Sequence, residues 1–462
     1  PKRRANPSKC EGREHSRTCL HDRAHIDGQK DEDDARIHGR PAEELVGRRL
    51  TGDDTRVGQQ HPKQDTEKGG TEGSKNLGLR LEKKCGSYAR RKKEEDGSWV
   101  GDHRAKVSRA GAGRLTTLAP SSDMEPIQPI PLSAIEAARS RISGAAIRTP
   151  LLRLDRPEST SEARDRISGR SAPDAVHGGI WLKLECLQPI GSFKIRGAAN
   201  AMALADPAAL SNGVYTASAG NMAQGVAFAA RRRGISCRVI VPDSAPKAKL
   251  SALARLGGVA VPVPFDEWWA AIRDHGHPDE SGFFIHPVSD PAVIAGNGTA
   301  GLEIIEDLPD VDTVIIPYGG GGLSAGITSA IKNVKPDTRV YASEVETAAP
   351  FQASLEAGRA VSVERVPTFV DGIGGSSVLE EMWPLTSSLL DGSHVVSIPE
   401  ICDSIRVLAS QAQVIAEGAG ASSVAAARRE FKLDEKIVAA VSCGNIDTDV
   451  LSRILAGHNP LL

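Results

Sequence analysis

The sequence predicts an α/β fold whose sheets are open, twisted and mainly parallel. The first observation is that short β-rich runs alternate with amphipathic or Ala-rich segments from Met124 to Leu462, a pattern typical of this class. The second is that two of the intervening segments, residues 221–234 and 245–258, end in glycine after basic residues, as helices do. Such alternation favours parallel sheets over hairpins.

Six runs rich in β-branched and other apolar residues are predicted as strands. They are residues 179–185, 213–218, 237–242, 313–318, 339–344 and 436–442. In folds of this class, ligands bind beyond the carboxyl ends of parallel strands. The loops that follow the predicted strands are therefore the places where chemistry is expected.

Residues 1–123 differ in composition from the rest of the chain. They mix charged residues with Gly and His and show little periodic hydrophobicity, so we predict that they are disordered. No methionine precedes Met124. We interpret Met124 as the natural start and residues 1–123 as a polar extension that is not part of the native protein.

Two features of this extension resemble functional motifs. Cys10, Cys19, His21 and His25 could be written as a zinc site, but their spacing matches none of the usual zinc-finger patterns. The run ARRKKEED contains three acids beside its basic residues, so we interpret it as a solvated charge run. Neither feature predicts a partner.

The charge and composition of the whole chain exclude some classes of function. The 462 residues carry a formal net charge of −2, which indicates no nucleic-acid partner. No apolar run long enough for a membrane span occurs, nor does an apolar signal region at the N-terminus. The seven cysteines are scattered, which suits a reducing compartment. We therefore expect a soluble, cytoplasmic protein with a small-molecule substrate and no membrane partner.

Four consecutive glycines follow one predicted strand in TVIIPYGGGGLSAG, residues 313–326. Between a strand and a helix, glycines let the backbone approach an anion and aim its N–H groups at it. The stretch also fits a dinucleotide fingerprint through Gly320, Gly322 and Ala325, with Glu344 as the acid at the end of the next strand. These residues predict a phosphate-binding loop and leave its ligand open.

Three other segments place polar groups where chemistry is expected. Ser218, Gly220 and Asn221 form a polar turn that either binds an oxyanion or phenolic oxygen or caps the following helix. Ser442 follows a buried strand, where its hydroxyl either meets a ring nitrogen or caps a turn. In GSFKIRGAAN, Lys194 stands among small and apolar residues, although a lysine usually keeps its amine in water.

The segments LKLECLQPIGSFKIRGAAN, SAGNMAQGVA, GGGGLSAG and SCGNID occur in this order. They resemble the motifs of fold-type II pyridoxal-phosphate enzymes, which share a tryptophan synthase β-like fold, and most of all those of serine/threonine dehydratases and serine racemases. The resemblance implies pyridoxal 5'-phosphate as cofactor, a homodimer, and β-elimination from a hydroxy amino acid to a 2-oxo acid and ammonia. L-Threonine and L-serine are the first expected substrates. It also implies a small domain at residues 213–293 and a large cofactor-binding domain at residues 124–212 and 294–462.

The resemblance also implies roles for individual residues. Lys194 forms the Schiff base with the cofactor, and its freed amine removes the Cα proton. The implied cofactor-binding residues are Phe193, Lys194, Asn221, Gly319, Gly320, Gly321, Gly322, Leu323, Glu417 and Ser442. The implied substrate-binding residues are Ser218, Gly220, Asn221 and Met222. Since Ser442 is a neutral partner for the pyridine nitrogen, it favours elimination over transamination.

Several positions depart from the family's pattern. Ala219 stands where racemases carry a serine on the second face of Cα, which favours a dehydratase because racemisation needs acid–base groups on both faces. Met222 replaces a histidine near the substrate carboxylate. Trp268 and Trp269 stand where some racemases carry an arginine. We interpret them as packing residues, with a pocket for a larger substrate as the alternative.

A divalent-cation site in parts of the family uses an acid that matches Glu344 and a second acid where Pro350 stands here. Because hard cations need several oxygen ligands, no metal site is predicted, and Glu344, together with Glu346, is the candidate cation ligand. The alternatives to a threonine or serine dehydratase are an amino-acid racemase, a dehydratase of another 3-hydroxy amino acid such as hydroxyaspartate, and a pyridoxal-phosphate-binding regulatory protein.

Overall fold

The computed structural model of the chain describes residues 124–154, 178–430, 432 and 434–461. The predictions for residues 1–123, including the zinc and charge-run interpretations, lie outside this part of the chain. The described residues contain two sheets, and the α/β class is confirmed. The ten strands are β1 (Leu151–Leu154), β2 (Gly179–Lys183), β3 (Val214–Ala217), β4 (Cys237–Pro242), β5 (Gly258–Val263), β6 (Phe283–Phe284), β7 (Thr313–Pro317), β8 (Arg339–Val345), β9 (Gly392–Val396) and β10 (Lys436–Ala440).

The larger sheet has six strands in the order β1-β2-β10-β7-β8-β9. All its neighbours pair in parallel except β1 and β2, which are antiparallel. The smaller sheet has the order β5-β4-β3-β6 and is parallel throughout. The smaller sheet falls within the predicted small domain, although the domain boundaries themselves stay a prediction.

Helices connect the parallel strands, as crossover connections require. The twelve α-helices of the described residues are α1 (Leu132–Arg141), α2 (Lys194–Leu204), α3 (Asn221–Arg233), α4 (Lys247–Arg255), α5 (Phe265–Arg273), α6 (Pro291–Asp307), α7 (Gly322–Val334), α8 (Pro350–Ala357), α9 (Trp383–Leu389), α10 (Ile398–Val407), α11 (Gly418–Glu430) and α12 (Thr448–Leu455). Both helices predicted to end in glycine do so: Gly234 adopts a left-handed φ of 68° after α3 and Gly257 one of 85° after α4.

All six predicted strands are present, and each occupies an interior position in its sheet. The four strands that the sequence did not predict, β1, β5, β6 and β9, are the edges of the two sheets. An interior strand of a parallel sheet is buried on both faces and so consists of a continuous apolar run, whereas an edge strand does not need one. Pro262 in β5 illustrates this, because proline is tolerated at an edge.

The core of the larger sheet lies on both of its faces. One cluster includes Ile315, Val345 and Ile437, and a second, against the other face, includes Val314, Ile316 and Val438. Helix α2 packs against α6 and α3. This packing brings the start of α2, where Lys194 lies, next to residues from both sheets.

The described helices include none that is both long and apolar enough to cross a membrane. The described cysteines, Cys186, Cys237, Cys402 and Cys443, are buried and free. No disulfide links the elements that carry the predicted site residues in this part of the chain.

Candidate active site

Lys194 is the first residue of α2, and the end of β10 fixes the turn before it. The backbone N–H of Phe193 donates to the carbonyl of Ser442 at 3.1 Å, and Ser192 forms an isolated antiparallel bridge with Cys443. Ser192 Oγ also accepts from the backbone N–H of Lys194 at 3.3 Å. Two of the predicted motifs, GSFKIRGAAN and SCGNID, are therefore held together by backbone contacts.

The Lys194 side chain leaves this turn and stays partly buried. Its Nζ donates to the carbonyl oxygen of Pro287 at 2.7 Å and lies 5.2 Å from the centre of the Phe193 ring. Among the described residues, no carboxylate forms an ion pair with it. Burial therefore lowers the pKa of the Lys194 amine to about 8, because removal from water disfavours the charged form.

The glycine loop joins β7 to α7. Gly321 has a φ of 93°, a conformation that favours glycine, and no side chain caps the N-terminus of α7. A methyl group on Gly320 would lie 2.6 Å from Val288 Cγ2, and one on Gly319 would lie 2.9 Å from the Gly372 carbonyl. The loop is thus restricted to glycine, and it presents backbone N–H groups at a helix N-terminus, which is the arrangement that binds phosphate.

Gly319 and Gly320 are partly exposed, whereas Gly321 and Gly322 are buried. Leu323 is buried in the same hydrophobic cluster as Phe193 and Cys443. The glycine loop and the Lys194 turn therefore share one core.

Asn221 begins α3, after strand β3 of the smaller sheet, and contacts Glu417, directly before α11, and Asn445, beyond β10. Its Nδ2 donates to both carboxylate oxygens of Glu417, at 3.1 and 3.2 Å. Its Oδ1 accepts from Asn445 Nδ2 at 2.7 Å, and Asn445 also donates to the carbonyl of Ile190. These bonds fix which end of the Asn221 amide is the donor. Burial, aided by the nearby charge of Asp371, raises the pKa of Glu417 to about 7.

Ser442 and Cys443 lie just beyond β10 and are both buried. Cys443 Sγ lies 3.1 Å from Ser192 Oγ, and burial raises the pKa of the thiol well above its usual value. A thiol in such surroundings is not a nucleophile. Cys443 is therefore a small packing residue.

The other predicted substrate-binding residues lie at the turn from β3 to α3. Ser218 Oγ accepts from the backbone N–H of Gly220 at 3.1 Å, and both residues are partly exposed beside Asn221. Met222 lies apart from them, because its side chain is 1% exposed and belongs to the hydrophobic core of the smaller sheet. The structure brings Ser218, Gly220 and Asn221 together but places Met222 beneath them.

Glu344 lies at the end of β8, the strand that pairs in parallel with β7. Its carboxylate accepts from the backbone N–H groups of Phe351 and Gln352, both at 2.8 Å, and from Ser393 Oγ at 2.7 Å. It therefore binds the N-terminus of α8, which is favourable for a carboxylate. In the described residues Glu344 belongs to no group of three metal-ligating side chains, and its role as a cation ligand stays a prediction.

Trp268 and Trp269 lie on α5 and pack against the cluster that includes Tyr215, Ile240 and Ile272. Their ring centres are 6.2 Å apart. This position agrees with the packing interpretation. Among the described residues, no contact supports the alternative that the two tryptophans line a pocket for a larger substrate.

Sequence reasoning did not single out a buried ionic network beneath Lys194. Arg196 donates to both Glu185 and Glu303, and Lys183 Nζ donates to Glu303 Oε2 at 2.6 Å. All four side chains are buried. Three of them lie in the quoted segment LKLECLQPIGSFKIRGAAN, so several charges within an apolar stretch could have indicated the network. Asn445 and Pro287 were also not singled out.

This arrangement, with a lysine at a strand-to-helix turn, a glycine loop at a helix N-terminus and a carboxylate–amide pair between two sheets, defines a class of enzyme. The family of pyridoxal-phosphate dependent enzymes matches residues 142–444, and the chain belongs to that family. The prediction of an enzyme that uses pyridoxal phosphate is confirmed.

Three relatives illustrate what the chain is similar to. It is 43% identical over 298 residues to an L-threonine ammonia-lyase of Thermotoga maritima, a match that covers 63% of this chain and 74% of the relative. It is 38% identical over 310 residues to the catabolic L-threonine dehydratase of Escherichia coli, covering 63% of this chain and 94% of the relative. The structure of maize serine racemase superposes with a TM-score of 0.61 at 29% identity, covering 72% of this chain and 98% of that one. The predicted branch is confirmed.

The residues present fit the family's cofactor. Glycines 319–322 at the start of α7 suit the phosphate of pyridoxal phosphate, because side chains there would fill the space next to Val288 and Tyr318. Lys194 supplies an amine whose pKa burial lowers to about 8, and a neutral amine is the form that attacks an aldehyde.

Proposed function

We propose that the chain catalyses the dehydration and deamination of L-threonine, and more slowly of L-serine, to a 2-oxo acid and ammonia. The observation that carries the proposal is the Lys194 amine, partly buried and hydrogen-bonded to the Pro287 carbonyl at 2.7 Å. The names of the relatives support the substrate, since the Thermotoga maritima and Escherichia coli proteins are described as threonine ammonia-lyase and threonine dehydratase.

When bound, pyridoxal phosphate withdraws electrons from the substrate's Cα–H bond. The chain's own residues bind the cofactor and the substrate and remove the Cα proton. We assign the cofactor phosphate to the N–H groups of residues 319–323, the ring oxygen to Asn221, the ring nitrogen to Ser442 and a ring face to Phe193. Glu417 holds the Asn221 amide in a fixed orientation through two hydrogen bonds. The N–H groups and hydroxyl of the Ser218–Asn221 turn would bind the substrate carboxylate.

Lys194 would hold the cofactor and then act as the base that removes the Cα proton. A base is most effective when its pKa lies near the working pH, and a pKa of about 8 meets that condition. A neutral Ser442 hydroxyl does not stabilise a protonated ring nitrogen as a carboxylate would, so a long-lived carbanion is disfavoured. Rapid loss of the β-hydroxyl is the outcome that such a site favours.

Racemisation of serine is the second candidate, because maize serine racemase has a similar structure. A racemase needs a proton donor on the face of Cα opposite to the lysine. Ala219, in the turn between Ser218 and Gly220, offers no hydroxyl. Dehydration is therefore the better-supported reaction.

We further propose that the chain acts as a homodimer in the cytoplasm, with residues 213–293 as a small domain inserted into a large one. The sequence resemblance supports the dimer. The free, buried cysteines of the described residues agree with a reducing compartment. Light scattering after size-exclusion chromatography tests the assembly, since a monomer mass would contradict it.

The test of the main proposal is an assay of 2-oxo acid release from L-threonine, L-serine, their D-enantiomers and 3-hydroxyaspartate, with chiral analysis of the remaining amino acid. We expect the highest kcat/KM with L-threonine. Accumulation of the opposite enantiomer without 2-oxo acid would show that the chain is a racemase and not a dehydratase. Release of 2-oxo acid from 3-hydroxyaspartate alone would show that L-threonine is not the substrate.

The matched variants are Lys194→Ala and Lys249→Ala. Lys194→Ala should abolish both oxo-acid release and the visible absorbance of the lysine-linked cofactor. Lys249 pairs with Asp371 at the surface, so its variant should keep that absorbance.

A further inference from the structure

Residues 286–289 touch both of the elements that would hold the cofactor. The Pro287 carbonyl accepts from Lys194 Nζ at 2.7 Å. The Val288 side chain lies against Gly320, where a methyl group would come within 2.6 Å of it, and the Val288 carbonyl lies against Gly322. A shift of this short segment would therefore move a contact of the lysine and a wall of the glycine loop together.

The ring of His286 determines the shape of the segment. Its Nδ1 accepts from the backbone N–H groups of Val288, at 3.1 Å, and Ser289, at 2.7 Å. Its other nitrogen, Nε2, lies 3.0 Å from the carbonyl oxygen of Ile272. A ring nitrogen that accepts from an N–H group carries no proton, and one that contacts a carbonyl must donate. These partners assign the neutral tautomer with the proton on Nε2.

The surroundings keep this ring neutral. His286 is 2% exposed, and burial, together with the neighbouring His275, lowers its pKa to about 3. The other groups that face it are Glu381 and Lys194, whose effects oppose each other. The hydrogen bonds of the segment therefore persist at any pH at which the enzyme would act.

The same histidine belongs to a group that resembles a metal site. His275, His286 and Glu381 offer ligand atoms within 4.8 Å of one another. However, the two imidazole rings are stacked, with centres 4.1 Å apart and planes within 12°. A metal lies in the plane of each imidazole that binds it, and two stacked rings share no such point. Both nitrogens of His286 also have protein partners, so the group is a hydrogen-bonded cluster.

We propose that His286 is a positioning residue, whose ring holds Pro287 against the Lys194 amine and Val288 against the glycine loop. It fixes the distance between the group that forms the covalent link to the cofactor and the group that binds the phosphate. The role does not depend on the substrate, and it rests on Lys194 as the residue that links the cofactor. The contacts that carry it are the two backbone N–H donors to Nδ1 and the Ile272 carbonyl.

The first experiment compares His286→Leu with His286→Asn by titrating cofactor-free protein with pyridoxal phosphate. Leucine leaves two buried N–H groups without an acceptor, so the dissociation constant should rise about 10-fold or more. The asparagine Oδ1 reaches the place of the imidazole Nδ1 and should recover most of the affinity. An affinity of His286→Leu equal to that of the wild type would overturn the proposal.

The matched control is His277→Leu. His277 is also buried, and its Nδ1 also accepts from a backbone N–H, that of Asp279 at 3.3 Å. Its ring nitrogen Nε2 contacts Glu267 and touches neither Lys194 nor the glycine loop. The control should keep the wild-type affinity for the cofactor, and an equal loss in both variants would reduce His286 to a general structural role.

A measurement on the wild-type protein tests the proposal even if the His286 variants fail to fold. ¹⁵N spectra of histidine-labelled enzyme should show His286 protonated on Nε2, without titration between about pH 5 and 8, where an ordinary histidine titrates. A proton on Nδ1, or a midpoint in that range, would contradict the proposal. Wild-type protein that binds no cofactor at Lys194 would instead contradict the proposed function, and the spectra would still decide the state of His286.

Discussion

Lys183 and Lys194 lie in the same sequence segment and are both withdrawn from water, but their partners differ. Lys183 is completely buried, and its Nζ donates to Glu303 at 2.6 Å and to the Thr149 carbonyl at 2.7 Å. Lys194 is partly buried and contacts the Pro287 carbonyl. One lysine is a member of an ion pair, whereas the other has an uncharged acceptor.

The partner of a buried lysine determines whether its amine is available for chemistry. A carboxylate at hydrogen-bond distance favours the ammonium form, whereas burial without one disfavours it. The pKa of Lys194 is accordingly lowered to about 8. The buried carboxylates Glu185 and Glu303 are paired with Arg196 and Lys183, and neither pairs with Lys194. The Lys194 amine thus keeps an uncharged partner, the Pro287 carbonyl, while the charges of the network are paired with one another.

The largest effect expected from this comparison is that of Lys194→Ala. Proton transfer by a positioned base contributes roughly 10²–10⁴-fold, and the covalent link is lost as well, so kcat should fall by more than about 10⁴-fold. The free energy of unfolding of the cofactor-free protein should fall by no more than about 1 kcal/mol, because no ion pair is broken and only the hydrogen bond to the Pro287 carbonyl is lost. Steady-state kinetics and urea unfolding test both parts, and a large loss of stability would show that Lys194 also has a structural role.

The second prediction concerns Lys183, whose replacement should lower stability. Lys183→Met leaves the Thr149 carbonyl without its donor and breaks a buried ion pair, which should lower the free energy of unfolding by about 3 kcal/mol. The matched control is Lys249→Met, whose pair with Asp371 is exposed and should contribute less than about 1 kcal/mol. The midpoints of urea unfolding compare the two variants. Equal losses would mean that burial does not distinguish these pairs.

The third prediction concerns the pH at which Lys194 reacts. Because its pKa is about 8, the neutral fraction falls about tenfold for each pH unit below that value. Stopped-flow absorbance of cofactor-free protein mixed with pyridoxal phosphate should show this slope, with a plateau above about pH 9. A lysine peptide, with its pKa near 10.4, is the control. A protein rate that kept rising with pH like that of the peptide would contradict the effect of burial.

The difference between interior strands and edge strands decides how much of the fold the sequence could predict. The interior strands β2, β3, β4, β7, β8 and β10 were predicted because both of their faces are covered. Edge strand β9 reads Gly-Ser-His-Val-Val and is mostly half-buried, so it shows no apolar run. Its place is determined by pairing with β8, which is a long-range contact.

The candidate site divides in a similar way. Lys194, the glycine loop and Ser442 lie inside continuous motifs, so the sequence alone could indicate them. The groups that hold them come from distant segments: Pro287 contacts Lys194, and Asn445 contacts Asn221. Met222 lies next to Asn221 in sequence, but the period of α3 turns its side chain into the core. Such contacts depend on tertiary packing, which a local pattern does not contain.

The fourth prediction extends the comparison to a carboxylate. The pKa of Glu417 is raised from 4.5 to about 7 by burial, so between these values the native protein binds more protons than the unfolded chain. Its contribution to stability is therefore complete below about pH 4.5 and is lost as the pH rises through about 7. Glu417→Gln removes this dependence, and the stability of the variant relative to the wild type should increase by up to about 3 kcal/mol from acidic to neutral pH.

Urea unfolding at pH values below and above this range measures the difference, with Glu356→Gln, at an exposed position of α8, as the control. Activity should fall only a few-fold, because Asn445 still donates to the Asn221 amide. Glu417 is thus intermediate between the two lysines: it is buried like Lys183, but its partner is an uncharged amide, as the partner of Lys194 is an uncharged carbonyl. A pH-independent difference between variant and wild type would show that Glu417 stays ionised, and that the amide alone stabilises its charge.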